Sequence, residues 1–177
     1  KVLVIGGGNT AMDCCRTSRR LGGDDVKVVV RSPFDEMKAS PWEIEDAQHE
    51  DIPFHNCHNP KGFLVQDGKL VGMRFEIVEA NYDTGKRRLI PTGEIVDFEA
   101  DDVIIAVGQE NTFPWIEKDL GLEFGEWEMP IVDKTTFQST HPKVFFGGDA
   151  AFGPENVITA VAHGHQAAIS IDLFCNG

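Results

Sequence analysis

The first third of the chain alternates short apolar runs with polar, glycine-containing segments. Val2–Ile5 is wholly apolar, which is typical of a strand buried on both faces of a parallel sheet. A glycine-rich turn follows, and the pattern then predicts a helix from about Asn9 to Leu21, ended by Gly22-Gly23. Val26–Val30 predicts a second parallel strand. Together these segments predict a βαβ unit of roughly 30 residues.

The pattern changes further along the chain. Ser40-Pro41-Trp42-Glu43 predicts a helix start with a capping box, and this helix runs to about His49. Asp67-Gly68 is a strong signal for a type I′ hairpin turn within a β-meander at about 63–99. The further predicted strands are Ile52–Cys57, Phe63–Gln66, Lys69–Val78, Arg87–Ile90, Glu94–Phe98, Asp102–Val107 and Lys143–Phe146. Two more helices are predicted, a short one at Pro114–Leu120 and a final one at Glu155–Phe174. These elements predict an α/β fold, a Rossmann-like parallel sheet with a β-meander insertion.

Composition narrows the classes of partner. Lys and Arg total 16 and Asp and Glu total 29, for a formal charge of −13, which disfavours nucleic acid and anionic membranes as partners. No apolar run approaches the roughly 18 residues that a bilayer span needs. The cysteines form no C-x-x-C pair, so we expect free thiols in a reducing cytoplasm: Cys14, Cys15, Cys57 and Cys175. Because Lys1 leads straight into a strand, we expect a piece of a longer chain with no signal peptide.

The turn after the first strand carries a dinucleotide fingerprint. Gly6-Gly7-Gly8-Asn9-Thr10-Ala11 fits G-x-G-x-x-A, with a strand before it and a helix after it. Gly6 permits the tight turn, Gly8 permits close approach of a pyrophosphate, and Ala11 permits close packing of helix on strand. The phosphates would lie on the free N–H groups at the helix N-terminus. The alternative is a glycine-rich turn that binds nothing.

The residue that ends the second strand indicates which nucleotide is bound. In NAD-binding sites an Asp or Glu at this point accepts from the ribose 2′-hydroxyl. Here the strand ends in Val30-Arg31-Ser32, and Arg31 would donate to a 2′-phosphate. The position therefore favours NADPH over NADH, the alternative being a solvated surface arginine.

A second signature lies near the C-terminus. The apolar run Lys143–Phe146 followed by Gly147-Gly148-Asp149 resembles the C-terminal FAD motif of pyridine-nucleotide flavoprotein reductases. In that family the aspartate binds the ribityl chain of FAD, which the resemblance implies for Asp149 together with Gly148. The following helix points its N-terminus at the flavin, which implies Asn156, Val157 and Ile158 here. By local chemistry alone, Asp149 could equally cap a turn.

The combined motifs resemble the small (β) subunit family of NADPH-dependent glutamate synthase. They are Gly6–Asp13, then Arg31, then Asp35-Glu36-Met37, then Ala106-Val107-Gly108, then Gly148-Asp149. The resemblance implies the three-layer, two-dinucleotide flavoprotein fold, with cofactor contacts from Asp13 and from Ala106, Val107 and Gly108. It implies an NAD(P)H-binding domain at residues 1–135 and a C-terminal piece of an FAD-binding domain at 136–177. The implied activity is hydride transfer from NADPH to FAD, with electrons passed to a partner subunit.

The sequence departs from the family at several points. Ser32 stands where relatives often carry a second arginine, and Lys38 stands where proline is usual and could reach the phosphate instead. The N-terminal FAD fingerprint and the cysteine-rich iron–sulfur region of the family are absent, so FAD is expected in the full-length parent. A thioredoxin-reductase-like flavoenzyme, disfavoured by the missing cysteine pair, and a non-catalytic dinucleotide-binding module remain alternatives.

No catalytic side chain is predicted, because hydride transfer between cofactors needs no side-chain acid or base. His55, Cys57 and His58 have the residue types of metal ligands, but a zinc site needs a fourth ligand that the sequence does not place. We therefore predict no metal site.

Overall fold

The computed structural model describes residues 1–83, 85–117 and 119–176, which form two compact units, Lys1–Gly108 and Gln109–Gly177. The strands are β1 Val2–Ile5, β2 Val26–Val29, β3 Phe54–His55, β4 His58–Gln66, β5 Lys69–Asn81, β6 Arg88–Glu99 and β7 Asp102–Ile105. The helices are α1 Asn9–Arg20, α2 Pro41–His49, α3 Asp149–Phe152 and α4 Val157–Asn176. Single turns of 3₁₀ helix lie at Phe34–Glu36 and Glu126–Glu128.

The first unit is built on a parallel sheet with the strand order β3-β2-β1-β7. Val2 lies opposite Val26 on one side and Asp102 on the other, so β1 is central. The apolar run of β1 is explained by burial on both faces. Val4 faces a core shared with the helices, whereas Leu3 and Ile5 face a second core.

Helices α1 and α2 cover one face of this sheet. Ala11 and Met12 of α1 and Ala47 of α2 are fully buried there against β1 and β2. At the rim of this layer Arg16 bridges the two helices, since its guanidinium lies 3.0 Å from Glu43 and 2.9 Å from Glu50.

The meander β4-β5-β6 covers the other face as an antiparallel sheet. Met73 and Phe75 of β5 are buried against Leu3 and Ile5 of β1. At the β4–β5 turn, Asp67 and Gly68 have φ of 50° and 75°, as a type I′ turn requires. The predicted three-layer α/β fold with a meander insertion is therefore confirmed.

The second unit has less regular structure. Its strand-like contacts are isolated bridges, such as the one between Gln138 and Phe145, and its longest element is α4. None of the helices in the described part of the chain is long and apolar enough to cross a membrane.

Several predicted elements are corrected in the first unit. The third strand is only Phe54–His55, because it pairs with β2 over just two residues, Val28 and Val29. The two strands predicted at 87–90 and 94–98 form one strand, β6, which a bulge in its pairing with β5 keeps continuous past Gly93.

Two elements predicted in the second unit do not form in its described residues. Lys143–Phe146 makes a single bridge in place of a strand, because no ladder of partners lies beside it. The segment at 114–120 forms isolated turns closed by bonds such as Ile116 N–H to the Phe113 carbonyl; Lys118 lies outside the described residues.

Candidate functional site

The turn between β1 and α1 shows two different reasons for glycine. Gly6 has φ of +144°, and a Cβ there would lie 2.2 Å from the carbonyl oxygen of Ala106, so the end of β7 crosses directly over it. Gly8 has φ of −102°, which any residue adopts, and a Cβ there would meet none of the described residues within 4 Å. Gly6 is therefore required by the fold, whereas Gly8 leaves open space beside the helix start.

That open space borders the N-terminus of α1. The carbonyl of Gly8 accepts from the N–H groups of Ala11 and Met12, at 3.0 and 3.3 Å. Within residues 1–83, 85–117 and 119–176, no acceptor lies on the N–H groups of Gly8, Asn9 and Thr10. Such unpaired N–H groups at the positive end of a helix dipole form an anion site.

The loop that follows β2 is fastened to the glycine turn. The N–H of Ala39 donates to the Gly7 carbonyl at 2.9 Å, and the N–H of Ser40 donates to Asn9 Oδ1 at 2.7 Å. Asn9 Nδ2 also donates to Ser40 Oγ at 3.3 Å, so the predicted capping box of Ser40 and Glu43 is wrong. The Ser40 carbonyl accepts from the N–H groups of Glu43 and Ile44 at the start of α2, whereas its side chain and N–H bond to Asn9. The sequence carries no local signal for this contact, because its partners are 31 residues apart.

The two basic residues predicted to hold a phosphate lie on this loop. Arg31 comes directly after Val30, the buried residue that follows β2, and its side chain is exposed, as is that of Lys38. Neither forms an ion pair with any residue that the structure describes. Ser32 is held through its carbonyl, which accepts from Cys57 N–H at 3.3 Å and from Asn56 Nδ2 at 3.0 Å.

The segment after β7 completes this edge of the first unit. The N–H of Ala106 donates to the Ile5 carbonyl at 2.8 Å, which continues the pairing with β1 past the end of the strand. Val107 is 70% exposed, and Gly108 has φ of +112°. The first unit therefore brings together three of the predicted groups: the glycine turn, Arg31–Lys38 and Ala106–Gly108. Asp13 lies on α1 with its side chain exposed.

The remaining predicted residues lie in the second unit. Gly148 has φ of +59° and precedes α3, and its N–H donates to Nδ1 of His163 at 3.1 Å, a residue that the sequence analysis did not assign. Asp149 begins α3 and accepts at Oδ1 from the N–H of Glu155 at 3.2 Å. The structure thus inserts a short helix between Asp149 and the long helix predicted to follow it.

The N-terminus of helix α4 is exposed, and one of its backbone N–H groups is capped. Asn156 Oδ1 accepts from the Thr159 N–H at 2.9 Å and so caps the helix. Val157 and Ile158 are 80% and 82% exposed. An exposed apolar first turn leaves its backbone N–H groups accessible to a ligand.

The fold and the glycine turn together define a class of protein, the dinucleotide-binding α/β domains. Residues 1–164 match the family model of pyridine nucleotide-disulphide oxidoreductases, and the chain belongs to that family.

Curated relatives extend this result. The chain is 36% identical to the beta subunit of NADP(+)-dependent formate dehydrogenase of Moorella thermoacetica, over 98% of this chain and 25% of that protein. It is 35% identical to the small chain of glutamate synthase [NADPH] of Escherichia coli strain K12, over 97% of this chain and 38% of that protein. The predicted resemblance to the glutamate synthase small subunit is thereby confirmed. The chain spans about a quarter to two fifths of the length of these two relatives.

Solved structures agree on the fold. The thioredoxin reductase of T. acidophilum superposes with a TM-score of 0.79 at 22% identity, over 99% of this chain and 53% of that one. At this identity the likeness concerns the fold alone.

Proposed function

We propose that the chain binds NADPH and presents it to FAD within a larger flavoprotein oxidoreductase. Bound NADPH supplies a hydride, and the residues of the first unit bind and orient the nucleotide. The observation that carries the proposal is the open space at Gly8 beside three unpaired N–H groups of the α1 N-terminus. In a chain with a net charge of −13, such a local anion site is needed to hold a dinucleotide.

The preference for NADPH rests on the loop after β2. Arg31 and Lys38 are exposed and free of carboxylate partners among the described residues, so their charges are available to the 2′-phosphate. Ser32 contributes a fixed backbone beside them. A charge-assisted bond from Arg31 to a phosphate contributes about 1.5–3 kcal/mol, or roughly a factor of ten to a hundred in affinity.

The cofactor-facing end of the first unit would be formed by Ala106, Val107 and Gly108. Their backbone crosses Gly6, and Val107 and Gly108 leave the sheet exposed. We place the nicotinamide half of the nucleotide along this segment, on the side of the sheet edge where α/β folds bind ligands.

Residues 136–177 would belong to the FAD-binding domain, with the boundary of the NAD(P)H-binding domain at residue 135. Asp149 and the exposed N-terminus of α4 at Asn156, Val157 and Ile158 support this assignment, because a helix dipole stabilises negative charge on a reduced flavin. The names of the two curated relatives, a beta subunit and a small chain, support the presence of a partner subunit, to which the flavoprotein would pass electrons. Four free cysteines suit a reducing cytoplasm.

The test is a calorimetric titration of the protein and of its Arg31→Ala variant with NADPH and, separately, with NADH. We expect a clear preference for NADPH, and we expect Arg31→Ala to weaken NADPH about tenfold or more while leaving NADH nearly unchanged. An equal loss for both nucleotides would contradict the role of Arg31. A preference for NADH would keep the fold and overturn the nucleotide assignment.

A further inference from the structure

The phosphate-binding loop proposed above contains a carboxylate that is engaged by the meander. Glu36 ends the 3₁₀ turn Phe34–Glu36, between Arg31 and Lys38. One of its oxygens accepts from the hydroxyl of Tyr82, and the other forms an ion pair with Arg87. Both partners come from the connection between β5 and β6, 46 and 51 residues further along the chain.

An unengaged carboxylate at this place would oppose the proposed function. Negative charge near the adenosine ribose accepts from a 2′-hydroxyl and repels a 2′-phosphate, which is how NAD-binding sites discriminate. The side chain of Glu36 is only 26% exposed, so water screens its charge less than that of the exposed Asp35 beside it.

The two donors act on the charge of Glu36 in one direction. The hydrogen bond from Tyr82, followed by the contact with Arg87, holds the pKa of the Glu36 carboxyl below its usual range, so it stays ionised. The same bond raises the pKa of the Tyr82 hydroxyl, which therefore remains a donor at neutral pH. Glu36 is therefore a charged carboxylate at neutral pH, with a donor at each of its two oxygens.

We propose that Tyr82 and Arg87 are positioning residues for nucleotide selectivity, because they neutralise Glu36 and hold it away from the 2′-phosphate. The proposal rests on the proposed function, since it concerns the same loop. It assigns a role to the meander, whose β5–β6 connection holds the loop in addition to the bonds from Ala39 to Gly7, from Ser40 to Asn9 and to the Ser32 carbonyl.

The alternative role for Arg87 is direct contact with the phosphate. That role and ours differ in their dependence on Glu36. If Arg87 acts by neutralising Glu36, removal of the Glu36 charge makes Arg87 dispensable. If Arg87 contacts the phosphate, it stays necessary whatever stands at position 36.

The experiment measures dissociation constants for NADPH and NADH in Arg87→Met, Glu36→Gln/Arg87→Met and the matched control Arg88→Met. Arg88 is the neighbouring residue, removal of its charge changes the net charge equally, and it has no ion pair with the described residues. We expect Arg87→Met to raise the dissociation constant for NADPH about fivefold, because the unpaired Glu36 carboxylate then repels the 2′-phosphate. The dissociation constant for NADH should change by no more than about twofold. Arg88→Met should leave both constants within about twofold, and the double variant should restore NADPH binding.

Two results would overturn the proposal. One is a double variant that binds NADPH as weakly as Arg87→Met, and the other is an equal loss for NADH. If Arg87→Met does not fold, Tyr82→Phe takes its place, with an expected loss of about threefold or more in NADPH affinity and a change within about twofold for NADH. Arg31→Ala separates the two levels of inference. A loss of selectivity in Arg31→Ala with no effect in Arg87→Met contradicts only the present proposal. No effect in Arg31→Ala would instead remove the proposed role of this loop in NADPH preference, on which the present proposal rests.

Discussion

The substitution Gly6→Ala tests the close crossing of β7 over the glycine turn. The added methyl would lie 2.2 Å from the carbonyl oxygen of Ala106 and 2.8 Å from its carbonyl carbon. Both atoms belong to backbone that is fixed by the bond from Ala106 N–H to the Ile5 carbonyl, at 2.8 Å. No side-chain rotation can relieve the overlap.

The expected cost has two parts. Alanine at φ of +144° is strained by about 1–3 kcal/mol. Displacement of the Ala106 backbone disturbs its hydrogen bond to Ile5, which costs about a further 1–3 kcal/mol. The total of about 2–6 kcal/mol is a large share of the roughly 5–15 kcal/mol that stabilises a domain. For a chain of this size it lowers the melting temperature by roughly 5–20 °C.

Gly8→Ala is the matched control, two residues away. Its φ of −102° suits alanine, and no atom of the described residues lies within 4 Å of the new methyl. Loss of glycine at the helix N-cap costs about 0.5–1 kcal/mol, and reduced freedom of the unfolded chain offsets about the same amount. The fold should therefore tolerate the change, but the methyl occupies the space that we assign to a pyrophosphate.

Thermal unfolding followed by circular dichroism measures the loss of stability, and NADPH titration at about 20 °C measures the loss of binding. We expect Gly6→Ala to unfold early and Gly8→Ala to melt within a few degrees of the parent while binding NADPH at least about tenfold more weakly. A Gly6→Ala variant as stable as the parent would refute the crossing. Normal NADPH binding by Gly8→Ala would refute the use of its open space.

Two further predictions concern buried titratable groups. The ring centroids of His55 and Phe98 lie 4.5 Å apart, and the buried Nε2 of His55 has no hydrogen-bond partner among the described residues. Burial, together with the charges of His58 and Lys27, lowers the pKa of His55. The neutral imidazole of His55 therefore stabilises the folded protein above the ordinary histidine pKa of about 6.5, and this contribution is lost as the pH falls toward the lower pKa of the folded state. We expect the melting temperature to decline between about pH 7.5 and 5.5 more in the parent than in His55→Phe. Equal declines would contradict this. Burial raises the pKa of the Cys15 thiol to about 11, so at about pH 8 only roughly one Cys15 thiol in a thousand is ionised. We expect an aromatic disulfide reagent to modify the exposed Cys175 in the folded protein and to modify Cys15 only when the protein unfolds. Modification of Cys15 at the rate of Cys175 in the native protein would count against its burial.

The sequence predicted those parts of the fold whose determinants are local. The run Val2–Ile5, the fingerprint Gly6–Ala11 and the hairpin turn at Asp67-Gly68 each carry their signal within a few residues, and each forms where it was predicted. Only one of the two reasons for glycine at position 6 could be predicted from the sequence. The turn was predicted, but the carbonyl of Ala106 that excludes a side chain lies 100 residues away.

Predictions failed where formation of an element depends on a partner strand. Lys143–Phe146 is as apolar as a core strand, but a strand also needs a neighbour with which to form a ladder, and here only one bridge forms. Ile52–Cys57 shortened to Phe54–His55 for the same reason, because β2 offers it only two partners. Apolar character alone is therefore insufficient to predict the length of a strand.

The site shows a similar limit of prediction, because the sequence gives the charged residues but not which of them are engaged by a partner. Arg31 and Glu36 both lie in the loop after β2, and sequence alone gives no reason to count one and discount the other. The structure separates them, because Tyr82 and Arg87 engage the carboxylate while Arg31 has no ion pair among the described residues. If neutralisation by a distant hairpin governs selectivity, relatives that differ only in the β5–β6 connection should differ in nucleotide preference with the same residues at the end of β2. The identity of the residue at the strand end would then be insufficient to assign the nucleotide, and the partner of every nearby carboxylate would have to be known as well.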